Sequence, residues 1–161
     1  MYQQEVDDST DERRGKTGTM RSSAAYDMAS GEIARARGFV RDFLAQAHLL
    51  HGWPVSDRAT DVAQLVVSEL ATNVCKYAPG PCLLDLESDG ITLSITMWDS
   101  GAVLPAASAT DPTRVGQHGL ELVLMVCQSF EIRREPVGKR LVVRLSLLDS
   151  ADLNPGGHTA W

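Results

Sequence analysis

Long apolar runs are missing from this chain: nowhere do its residues approach the ~20 consecutive apolar positions that a membrane-spanning helix needs. The first 30 residues hold no continuous apolar stretch either, so no secretory leader is expected. Cysteine is scarce. Cys75, Cys82 and Cys127 are odd in number and form no CxxC pair, which removes zinc-ribbon and thioredoxin-type sites. Each lies in apolar sequence, where a free thiol behaves as a small hydrophobe, and the expected compartment is the reducing cytoplasm. Positive charge is thinly spread. The net charge is −6, and no basic run exceeds two residues (Arg13-Arg14, Arg133-Arg134, Lys139-Arg140). A general attraction to nucleic acid or anionic lipid is therefore not expected. His48, His51 and His158 share no metal-ligand spacing.

What is present is the composition of a globular protein, 43% hydrophobic and 22% charged, at a length suited to one domain. Such a core stands without disulfides or structural metal. Residues 1–22 are polar, charged and without periodicity, and read as a disordered tail. Residues 23–149 read as the folded domain. Residues 150–161 contain Gly and Pro and read as a flexible C-terminal tail.

Within the domain a short strand is expected over Ser23–Met28. A helix follows from Gly31 to about Leu50, with Ile33, Phe39, Val40, Phe43, Leu44 and Ala47 at helical spacing, Ser30 as N-cap, and Gly52-Trp53-Pro54 as the stop. A second helix, capped by Ser56 or Asp57, runs to about Tyr77 with Val62, Leu65, Val66, Leu70 and Val74 on its apolar face. Cys82–Glu87 and Ile91–Trp98 form a hairpin about Asp89-Gly90. Ile91, Leu93, Ile95 and Met97 alternate with polar residues, so one face is buried. Residues 100–117 read as a long connection, and Gly119–Ser129 as a third, very apolar helix. Phe130–Glu135 and Lys139–Leu148 close the domain as a second hairpin. The order predicts an α+β two-layer sandwich, with helices on one face of a mixed, mainly antiparallel sheet.

Three short stretches carry the chemistry. Glu69 and Asn73 lie four residues apart on the second helix and point within about 40° of each other. An Asn amide oxygen is a hard neutral ligand suited to Mg²⁺, and a carboxylate one turn away can accept a proton. In isolation such a pair is an ordinary solvated helix edge. Asp99-Ser100-Gly101 follows a strand, where a carboxylate can accept a hydrogen bond from an exocyclic amine and a glycine lets a ring approach. Gly116-Gln117-His118-Gly119-Leu120 lies at the start of a helix, where free N–H groups attract phosphate.

Taken in order, "SELATNVCKYAPG", "WDSGAVLP", "GQHGLELV" and "GKRLVVRL" resemble the N, G1, G2 and terminal boxes of GHKL (Bergerat-fold) ATP-binding domains. Their short spacing is most similar to the bacterial anti-sigma factor serine/threonine kinases of partner-switching systems. "ARGFVRDFLAQ" resembles the first helix of that subfamily, and the resemblance covers roughly residues 30–148. It implies ATP and Mg²⁺ as cofactors. Asn73 would bind Mg²⁺, Glu69 would be the general base, and Asp99 would read the adenine amine. Gly101 would make room for the ring, while Gly116, His118, Gly119 and Leu120 would belong to the phosphate lid. Lys76 falls where many relatives carry a basic residue.

One departure stands out. Relatives commonly read Gly-Gly-Arg-Gly-Leu where this chain has Gln117 and His118 in the second and third places. The resemblance implies a kinase that sequesters a sigma factor and phosphorylates an anti-anti-sigma (STAS-type) antagonist, with a homodimer as resting state. The altered lid leaves open a nucleotide-gated binding module without transfer activity, or a domain that binds no nucleotide.

Overall fold

The computed structural model describes residues 18–101 and 115–148. Expectations for residues 1–17, for 102–114 and for the tail from 149 onward lie outside the described residues.

Five strands form one sheet in the order β1-β2-β3-β5-β4: β1 (Met20–Met28), β2 (Gly80–Ser88), β3 (Thr92–Asp99), β4 (Ser129–Arg134) and β5 (Lys139–Ser146). All four pairings are antiparallel. A 3-10 turn (Ser30–Glu32) leads into α1 (Ile33–His51), followed by α2 (Asp57–Tyr77) and, later, α3 (Val115–Val126). The two-layer α+β expectation holds, with a sheet that is antiparallel at every pairing.

Strand alternation fixes which side the helices cover. Leu84, Leu86, Leu93, Ile95, Met97, Leu141, Val143 and Leu145 are buried in one core with the inner faces of the helices. α2 lies centrally, touching α1, α3 and four of the strands. Its buried stripe is Ala59, Ala63, Val66, Val67, Leu70, Ala71 and Val74. Burying side chains such as Leu70 contributes roughly 1.5–3 kcal/mol each.

Several boundaries differ from expectation for identifiable reasons. β1 starts at Met20, inside the segment read as tail, because nine backbone pairs with β2 order it despite its polar sequence. β2 begins at Gly80 rather than Cys82. Pro81 is tolerated there because the β3 ladder has already ended at the Cys82–Asp99 pair. Ser30 is not a cap: α1 starts from Glu32, with no side-chain cap bond, after the 3-10 turn. Ser56 does cap α2, accepting from the Ala59 N–H at 2.9 Å. Ile91 sits in the β2–β3 turn, 58% exposed, so it leaves the buried set expected for it. α3 begins at Val115, one turn before the expected Gly119. The helix penalty of Gly116 and Gly119, about 1 kcal/mol each, is offset by contact with α2, where Val123 is buried and Val126 partly buried. α3 also stops at Val126, and Ser129 opens β4.

Among the described residues the opposite side of the sheet carries no helix, and it is polar. There Arg21 donates to both Asp85 oxygens at 3.2 Å, and Ser23 Oγ to Oδ1 at 2.6 Å. Arg140 stacks over its cross-strand partner Trp98, 5.0 Å from the ring centre.

Candidate functional site

Asp99 is the last residue of β3, not the first beyond it, and shares the helix-covered side with Leu93, Ile95 and Met97. Its cross-strand neighbours are Cys82 on β2 and Lys139 on β5. Lys139 opens β5 on the same side as buried Leu141, Val143 and Leu145. Its Nζ donates to Asp99 Oδ2 at 2.6 Å, and the two side chains are 5% and 0% exposed. The Gly101 N–H donates to Asp99 Oδ1 at 3.1 Å. Each carboxylate oxygen has one donor and keeps a further lone pair.

Neighbouring segments are pinned to this strand end. A Cβ at Gly101 would collide with the Cβ of Ala78, so the chain leaving β3 is packed against the end of α2. Gly138, at φ +79°, lies so close to the Asp99 carbonyl oxygen that a Cβ there would collide with it. Only glycine satisfies both demands. Burial pushes the Cys82 thiol up to about 11, helped by Asp99, by Cys75 on α2 and by Asp27.

α2 thereby brings Glu69 and Asn73 to the region. At 1.5 Å per residue they lie about 13 Å and about 7 Å back along the helix from Ala78. Both are half-buried. With Val62 they fall within about 40° around the helix axis. Val62 lines a cavity of about 220 Å³ together with Met125, Val126 and Cys127 at the end of α3, so this is the α3-facing edge of α2. Gly116, His118, Gly119 and Leu120 lie in the first half of α3; the side chains of His118 and Leu120 lie outside the described residues. Lys76 is exposed at the end of α2.

The residue that sequence reasoning missed is Lys139. In the sequence it stands in a basic dipeptide and in the terminal-box stretch, with no role of its own. Its signal was phase: it stands two positions before Leu141 in an alternating strand, and so on the buried side.

The family model of the histidine kinase-like ATPase domain matches residues 30–145. The chain belongs to this family. A search of curated proteins found no match. The matched span of the histidine kinase-like ATPase domain takes in all three helices and four strands, leaving β1 outside. Membership makes the protein a GHKL-type, ATP-binding regulatory protein, in a family whose domains bind ATP, usually with Mg²⁺.

The residues present fit such a ligand. A buried carboxylate with spare lone pairs suits an exocyclic amine, and the half-buried Asn73 and Glu69 offer hard oxygen donors. Among the described residues no three His, Cys, Asp or Glu side chains cluster as a metal site. Mg²⁺ held by one amide and by phosphate oxygens needs no such cluster. No helix among the described residues is long and apolar enough to cross a membrane.

Proposed function

We propose that this histidine kinase-like ATPase domain is a cytoplasmic anti-sigma factor that phosphorylates a serine or threonine of an anti-anti-sigma (STAS-type) antagonist. The observation that supports it is the packing of Ala78, at the end of α2, against Gly101, just past Asp99. It brings the buried Asp99 carboxylate to the end of the helix that bears Asn73 and Glu69.

In this reading Asn73 would hold Mg²⁺, Asp99 would accept from the adenine amine, and Gly101 would make room for the ring. Gly116, His118, Gly119 and Leu120 contribute to the phosphate end. Bound Mg-ATP supplies the γ-phosphoryl group, and transfer needs little beyond positioning and charge neutralisation. Glu69 takes the proton of the antagonist's hydroxyl. The antagonist, once phosphorylated, loses its hold because a dianion in an interface repels and is costly to desolvate. A sigma factor is the second partner and a homodimer the resting state; neither nucleic acid nor membrane is a direct partner.

Gln117 and His118 favour a second reading, a nucleotide-gated binding module without transfer. Histidine is a weaker, pH-dependent cation than the arginine of relatives. Incubation with labelled Mg-ATP and STAS-type proteins of the same genome separates the two. The kinase reading expects a labelled antagonist. Mg-ATP binding with no labelled protein leaves the binding module, and absence of Mg-ATP binding removes both.

A further inference from the structure

We propose that Lys139 is a second base-reading residue, donating to ring nitrogen N1 of adenine while Asp99 accepts from the exocyclic amine. The proposal rests on the ATP-binding reading and adds a specificity-determining contact to it.

A lone carboxylate reads only the amine. Here the carboxylate has an ammonium beside it, Nζ to Oδ2 2.6 Å, both on the helix-covered side of adjacent strands. Acceptor next to donor is the complement of the adenine edge, where the amine donates and the neighbouring N1 accepts. Guanine and hypoxanthine carry the opposite arrangement, with a carbonyl at position 6 and an N–H at position 1. That N–H would face the ammonium.

Three further observations favour reading over mere charge balance. The ammonium has three N–H donors, and among the described residues its one hydrogen bond is to Asp99 Oδ2. At 4% exposure for the residue, the remaining donors need acceptors that bulk water does not readily supply. The pair is also held in place: Gly101 N–H fixes Oδ1, and Gly138 presses the β4–β5 turn onto the Asp99 carbonyl. A preorganised donor–acceptor pair discriminates because a mismatched base leaves buried groups unpaired.

The test uses 1-deaza-ATP, in which N1 is replaced by C–H and the amine is kept. In calorimetry with Mg²⁺, the wild-type protein should bind ATP at least about tenfold more tightly than 1-deaza-ATP, as expected for a lost hydrogen bond to a charged donor. Lys139→Met, folded by circular dichroism, should bring that ratio towards one. Lys139→Gln, which retains a neutral donor, should keep part of it. Equal affinity of the wild type for the two nucleotides overturns the proposal without any variant and leaves the ATP-binding reading standing. An unchanged ratio in Lys139→Met overturns it too. No ATP binding at all removes both.

Discussion

At the scale of single residues, the densest set of constraints surrounds Asp99. Gly138→Ala would combine a left-handed backbone with a collision against the Asp99 carbonyl, and should lower stability by at least ~2 kcal/mol in denaturant unfolding. Asn73 and Glu69 separate by role. Asn73→Ala should abolish Mg-ATP binding in calorimetry, whereas Glu69→Ala should keep it and lose phosphoryl transfer by a factor of at least about 10². Normal Mg-ATP binding by Asn73→Ala would remove the magnesium assignment. Asp99, Asn73 and Glu69 were legible as candidates because each sits in a short ordered motif. Lys139 was not, because a charge at a strand start reads as solvated until its buried phase is noticed.

Among elements, the helices are the most legible, since α1 and α2 are long and carry apolar residues at strict helical spacing. Their stops were also legible in Gly52 and in Pro79-Gly80-Pro81. The caps divided. Ser56→Ala should cost about 1 kcal/mol of stability, because the Ala59 N–H loses its acceptor. Ser30→Ala should be near neutral, as no side-chain cap bond exists there. Comparable losses in the two variants would contradict this account. β1 was only half legible. Its order comes from pairing along β2, a long-range property that local pattern does not encode. The early start of α3 has the same character: packing on α2 overrides two glycines.

For the whole molecule, buried acids set the behaviour in alkali. Burial raises the Tyr26 phenol and the Cys75, Cys82 and Cys127 thiols, with Cys82 pushed up to about 11 from an ordinary 9.0. As pH rises through the ordinary values, the unfolded chain releases these protons while the folded protein still holds them. The unfolded state then binds fewer protons, so stability falls. Thermal midpoints should therefore decline from about pH 9 towards about pH 11, and Cys82→Ala should make the decline shallower. A midpoint constant across that range would contradict the assignment. The two-layer architecture itself was legible from the order of elements, because amphipathic helices and alternating strands admit few packings.

Coverage of one sheet face by the described helices divides the chain's evolutionary freedom. Residues under the helices answer to a shared shape, so change there requires compensation among many neighbours. On the opposite face, Arg21 answers chiefly to Asp85, and Arg140 to Trp98 and Glu135. Such couples can be rewritten two at a time, so that surface can diversify while the helix-covered side stays as it is.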